Sequence, residues 1–158
     1  MRVLIQRVTR ARVTVEDVVV GEIGPGMLLL AGVTHEDTQA EAELLAGKAA
    51  NVRIFDDADG VMNRSALDLH AERPGSAGVL VVSQFTLYAD TRKGRRPSYV
   101  AAARPEHAEA IVEHLARSVE ALGLPVARGR FRAEMAVELV NDGPVTIWLD
   151  TDQLRPVR

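Results

Sequence analysis

The chain has 158 residues, 47% hydrophobic and 26% charged, with a mean hydropathy near zero. That is the size and composition of one soluble domain with its own core, and it excludes collagen-like, disordered and membrane-embedded classes. The absence of cysteine removes thiolate nucleophiles, CxxC redox pairs and Cys-ligated zinc, and a net charge of −3 excludes a protein that coats nucleic acid through its overall charge.

Charge returns after a short apolar run in Met1-Arg2-Val3-Leu4-Ile5-Gln6-Arg7, so the start lacks the apolar region of a signal peptide, and a cytoplasmic address is expected. No apolar stretch approaches the roughly 20 residues of a membrane span. Val3-Leu4-Ile5, Arg12 to Val15 and Val18 to Ile23 read as β-branched strands, with Glu16-Asp17 as a hairpin turn. After Gly24-Pro25-Gly26, the apolar run Met27 to Val33 predicts a strand buried on both faces, so four strands are expected before the first helix.

Thr38 and Glu41 have capping-box spacing and open a helix to about Asn51, with Ala42, Leu45 and Ala49 on its apolar face. Arg53-Ile54-Phe55 reads as a short strand. Asp56, Asp57, Asp59 and Gly60 form a polar turn without the spacing or closing Glu of a calcium loop. A loop containing Pro74, Gly75 and Gly78 leads to a second buried strand, Val79 to Val82, which ends in Ser83-Gln84-Phe85-Thr86. Pro105 and Gly123 bracket the clearest helix. Met135 to Leu139 alternates as a half-buried strand, and Val145 to Leu149 is read as another beyond Asn141-Asp142-Gly143-Pro144.

The count is about seven to nine strands and two main helices, without regular βαβ alternation. We expect a single α+β domain over residues 1–158: a mixed, largely antiparallel, barrel-like sheet with helices packed on one side.

The common catalytic constellations are missing. There is no Walker A loop, GxGxxG or GxSxG, and no cofactor or metal is expected. His107 and His114 are spaced by seven rather than the four of a helical metal pair, and His35 reads as a loop histidine. Three segments remain. Ser83 to Thr86 puts hydrogen-bonding side chains at a strand end, either a site or a polar cap. Gly143-Pro144 joins two strands, either as an ordinary turn or as something more. Arg92, Lys93, Arg95 and Arg96 crowd around Gly94, either as a solvated loop or as a grip on phosphates.

The run from Ser83 through Tyr88 and Arg92 to Ser98, together with Leu139 to Thr146, resembles the two signature motifs of the D-aminoacyl-tRNA deacylases of bacterial and eukaryotic type. The likeness extends to Ile5-Gln6-Arg7-Val8, Gly32-Val33-Thr34, Arg53-Ile54-Phe55 and Met62-Asn63, and so covers nearly the whole chain. It implies a cytoplasmic homodimer that hydrolyses the ester of D-aminoacyl-tRNA, and of glycyl-tRNA mischarged on tRNA-Ala. It implies that Gly143-Pro144 forms a cis peptide that enters the partner's active site and excludes L-amino acids. Ser83 and Met135 would contact substrate with them, and Gln84, Phe85 and Thr86 would carry the catalytic site. The basic run Arg92, Lys93, Arg95 and Arg96 would hold the tRNA backbone.

For the chemistry, Thr86 as nucleophile competes with attack by water assisted by the tRNA ribose hydroxyl and by backbone N–H groups near Phe85. A Thr86-dependent esterase on small esters and an inactive dimeric tRNA-binding module are the other readings. Two positions depart from the family pattern: Arg132 stands where a small residue is usual, and Arg128 where Thr is common. The stretch His70 to Gly78 is read as a loop insertion.

Overall fold

The computed structural model describes residues 1–154. Its elements run β1 (Arg2–Val15), β2 (Val18–Ile23), β3 (Gly26–Gly32), α1 (Gln39–Asn51), β4 (Phe55–Asp56), β5 (Met62–Arg64), α2 (Ala66–Glu72), β6 (Gly78–Ser83), a 3-10 turn (Phe85–Tyr88), α3 (Pro105–Ala121), β7 (Val126–Arg128), β8 (Ala136–Asp150) and α4 (Thr151–Leu154).

Three strands precede α1, not four, because Val3 to Val15 is one continuous strand. Its first half pairs antiparallel with β3, from Arg2 opposite Gly32 to Val8 opposite Gly26, and its second half with β2, from Ala11 opposite Ile23 to Val15 opposite Val18. Glu16 and Asp17, both at positive φ, make the tight hairpin that its twist demands. The other edge of β1 pairs antiparallel with β8 from Arg2 to Thr14. From β3 the sheet continues through two parallel pairs, β3 with β6 and β6 with β7. It then curls back on itself. A Cβ on Gly21 of β2 would lie 2.2 Å from the Arg128 carbonyl oxygen of β7, and one on Gly26 would lie 1.9 Å from that of Gly78. Only glycine allows these approaches; the first brings β7 back against β2, so that the sheet comes close to a closed barrel, and the second lies within the β3–β6 pair.

The apolar runs supply two cores at once. Met27, Leu29, Ala31, Val79 and Val81 face α1 and α3, whereas Leu28, Leu80 and Val82 fill the barrel interior with Val8, Val13 and Val15. Both main helices cover one face. α1 begins with the expected capping box, in which Thr38 N donates to Glu41 Oε2 at 2.7 Å. α3 has Pro105 in its first turn, and Gly123 at φ 104 lies just past its end. The loop reading before β6 omitted α2. That helix has its own capping box, Ser65 with Asp68, but seven residues are too few to show a helical period.

β8 also replaces two predicted strands with one. Gln6 is paired with Thr146 and Val8 with Asn141, so Arg7 alone faces residues 142–145, and the chain bulges outward there. Pro144 has no N–H to give the ladder and sits in that bulge. The Gly143-Pro144 bond is cis.

Candidate active site

β6 delivers the first motif to a cleft. Ser83 pairs with Ala31 of β3, and Gln84 N donates to the Ala31 carbonyl at 2.7 Å, so the strand end is fixed up to the residue before the 3-10 turn. The turn's first internal hydrogen bond runs from Leu87 N to Gln84 O at 3.2 Å. The amides of Phe85 and Thr86 precede it and have no partner inside the turn. Arg2 holds the turn's far end: its Nη1 donates to Leu87 O at 2.9 Å, its Nε pairs with Asp150 at 3.0 Å, and its guanidinium lies 4.3 Å over the Tyr88 ring. Burial, with the Asp37 charge second, pushes the Tyr88 hydroxyl above its ordinary pKa, so it stays neutral.

The cleft, of about 530 Å³, is lined by Ser83, Gln84, Phe85, Tyr99, Phe131 and Arg132 among others. Phe85, 56% exposed, meets Tyr99 edge to face with centroids 5.0 Å apart. The segment bearing Tyr99 is tied to the end of β3 by Thr34 Oγ1 donating to Ala101 O at 2.6 Å and Ala103 N donating to Val33 O at 2.9 Å. His35 binds Val100 O, and His107 binds Asp37 O, each at 2.7 Å. Both imidazoles therefore serve the scaffold. Among the described residues, no group of three or more His, Asp or Glu could hold a metal ion. Asp57 spends its carboxylate on the amides of Asp59 and Val61, and the Val61 amide is the main cause holding it below the ordinary carboxylate pKa.

Ser83, Gln84 and Phe85 line the cleft together. Thr86 lies beside it, its Oγ1 accepting a hydrogen bond from Gln84 Nε2. Met135 packs instead with the barrel interior, where its sulfur lies 2.9 Å from the position a Cβ on Gly129 would take. Gly143 and Pro144 are exposed on β8 and do not line the cleft of their own chain. Beneath them Arg7, only 8% exposed, donates through Nε to Asp142 O at 3.2 Å and through Nη1 to Ile54 O at 2.7 Å. Asn141 adds two bonds through Nδ2, to Arg7 O and Val145 O, each at 2.9 Å. The bulge is thus gripped from below.

The basic run stands on an exposed loop closed by paired backbone bonds between Asp90 and Ser98. Arg92 spends its guanidinium on Asp90 at 2.7 Å, and those bonds hold the Asp90 carboxyl down at about 2. Lys93, Arg95 and Arg96 are exposed and have no ion pair among the described residues. Arg128 faces α3, where its bonds to Glu113 at 2.9 Å and Glu120 at 2.8 Å hold both carboxyls below their usual range. Arg7, Tyr99 and Arg104 were not singled out for the site by the sequence. Nothing marks a lone residue as a cleft wall until the loops that carry it are placed.

The profile of the family described as "D-Tyr-tRNA(Tyr) deacylase" matches residues 4–150. The chain belongs to that family. Its relatives include the D-aminoacyl-tRNA deacylase of Thermomicrobium roseum, 59% identical over 98% of this chain and 97% of that one, and that of Roseiflexus castenholzii, 56% identical over 100% and 97%. Among solved structures, one titled "c-Myc DNA Unwinding Element Binding Protein" superposes with a TM-score of 0.85 at 37% identity, covering 95% of this chain and 98% of that one. Another, titled as a probable eukaryotic D-amino acid tRNA deacylase, shares the fold with a TM-score of 0.77 at 17% identity, covering 94% and 97%. In this deacylase-family chain, the two long motifs fall at the 3-10 turn and at the β8 bulge. No helix among the described residues is long and apolar enough to cross a membrane.

Proposed function

We propose that this D-aminoacyl-tRNA deacylase hydrolyses the ester between a D-amino acid and the terminal ribose of tRNA, and the same ester of glycine mischarged on tRNA-Ala. It works in the cytoplasm as a homodimer, with Gly143-Pro144 of each subunit entering the other's cleft. The supporting observation is the 3-10 turn: the amides of Phe85, on the cleft wall, and Thr86, beside it, precede the turn's first internal hydrogen bond and have no partner inside the turn. Water attacks the ester carbonyl with help from the neighbouring ribose hydroxyl. The developing oxyanion takes the Phe85 amide, the C–O bond to ribose breaks, and a free amino acid and tRNA leave. One such preorganised donor is worth about 2.7–4 kcal/mol.

Thr86 and Gln84 position the substrate, because among the described residues the hydroxyl of Thr86 is bonded by the Gln84 amide and not by a base that could activate it. A pocket that accepts many side chains selects a D-amino acid by excluding the L direction, and an exposed backbone wedge does so for every side chain. Glycine offers nothing to exclude and passes. Gly143 and Pro144 do not line the cleft of their own chain, which supports a wedge supplied by a second copy. The outer edge of β8, unpaired among the described residues and with Val140 and Trp148 exposed on that strand, is a surface for a second copy. Lys93, Arg95 and Arg96 are free to take tRNA phosphates.

The decisive experiment compares D-tyrosyl-tRNA with L-tyrosyl-tRNA at equal enzyme concentration. Release from the D ester at least about a hundredfold faster, equal to roughly 2.7 kcal/mol, is expected. Equal cleavage overturns the wedge, and tRNA binding without cleavage of either ester points to a binding module.

A further inference from the structure

We infer that Arg132, with Arg104, binds the phosphodiester preceding the terminal nucleotide of the substrate, making the cleft mouth a phosphate subsite. The inference rests on the deacylase reading above. Arg132 stands at φ 62, in the left-handed region where glycine is at ease and a long side chain is strained. An arginine kept at such a position brings a guanidinium to a place the backbone alone would give to glycine. Arg132 lines the cleft while 64% of its side chain remains in solvent, which puts it at the mouth rather than the floor. Its ion partner is Glu106, at 3.7 Å and 79% exposed, a contact too long and too wet to hold the guanidinium. Arg104 lines the same cleft and has no ion pair among the described residues.

The cleft wall contains no carboxylate: its other polar side chains are those of Ser83, Gln84 and Tyr99. Two guanidiniums at the mouth of a cleft without a carboxylate attract an anion that arrives with the substrate but stays outside the reacting centre. In an aminoacyl-tRNA the group one nucleoside away from the ester is a phosphodiester, and a guanidinium fork matches its oxygens. The basic loop at Arg92–Arg96 is a separate surface and does not line this cleft.

The test compares two esters of the same D-amino acid, one on full tRNA and one on adenosine, which lacks the phosphodiester. The variants are R132G, which suits the backbone, and R104Q. For each, the ratio of kcat/KM on the tRNA ester to that on the adenosine ester is expected to fall about three- to tenfold. The slope of log kcat/KM against log salt on the tRNA ester should flatten by about 0.7 per lost contact on a single strand. An unchanged ratio and slope in R132G overturns the inference, as does an equal loss on both esters, which would place Arg132 on the nucleoside or in the fold. If the unsubstituted protein cleaves neither ester, the deacylase reading fails and this inference with it. Cleavage of both with an unaltered ratio in R132G overturns only the subsite.

Discussion

Thr86 is the residue whose chemistry is easiest to overstate. It has a hydroxyl within the first motif, yet the partner of its Oγ1 is the Gln84 side-chain amide, a donor that withdraws the oxygen's lone pair instead of accepting its proton. A nucleophilic threonine needs a base within hydrogen-bond reach, and among the described residues the partner recorded for its hydroxyl is the Gln84 amide. Thr86→Ala should therefore keep kcat on D-tyrosyl-tRNA within about tenfold of the unsubstituted enzyme, the cost being a Gln84 amide left free to turn. Single-turnover kinetics of the folded variant will tell: a loss of about a thousandfold or more makes Thr86 chemical. The same attention to partners sorts the arginines. Arg128 is spent on Glu113 and Glu120, and Arg92 on Asp90, whereas Lys93, Arg95, Arg96 and Arg104 have no ion pair among the described residues and Arg132 has only a long, exposed one to Glu106.

At the level of elements, the signals that carried were those written locally. Thr38 with Glu41 marks the start of α1, Pro105 and Gly123 bracket α3, and the unbroken apolar runs of β3 and β6 are what strands between two cores require. What stayed hidden is set by partners distant in sequence. Arg2 to Val15 is one strand because β8 pairs along its length, and polar residues at Thr9 and Arg10 obscured that continuity. The Gly143-Pro144 dipeptide, locally either an ordinary turn or something more, is a bulge inside β8 facing Arg7 across the ladder. Arg7 links three pieces: β1 itself, the Ile54 carbonyl before β4, and the Asp142 carbonyl in β8. Arg7→Met keeps the bulk and removes these bonds, stranding the Ile54 carbonyl. Urea unfolding should show about 1–3 kcal/mol of lost stability with an unchanged m-value. The loosened bulge should also lower the D-to-L rate ratio. Stability within about 0.5 kcal/mol of the unsubstituted protein would mean that the arginine does not hold the bulge.

For the whole molecule, the question is why the first motif lies at a cleft while the second, the Gly143-Pro144 bulge, lies on another surface. A closed barrel has no edges to protect, but β8 lies outside the curl as a long strand paired on one side only, and it presents the Gly143-Pro144 bulge next to exposed Trp148. In the proposed two-fold dimer such a surface would meet its own copy, and each cleft would receive the other copy's Gly143-Pro144. That arrangement predicts complementation. Gly143→Ala adds a methyl to the wedge, and Phe85→Pro removes the amide offered to the oxyanion, so each homodimer should lose about a hundredfold or more on D-tyrosyl-tRNA. When the two variants are unfolded together in equal amounts and refolded, half of the dimers are mixed. In each mixed dimer one cleft has both an intact Phe85 amide and an intact wedge from its neighbour, while the other has neither. Activity should therefore return to about a quarter of the unsubstituted level, the statistical value for sites shared across a two-fold. If the wedge acted within its own chain, no mixture could assemble a working site, and activity would remain at the level of the two variants alone.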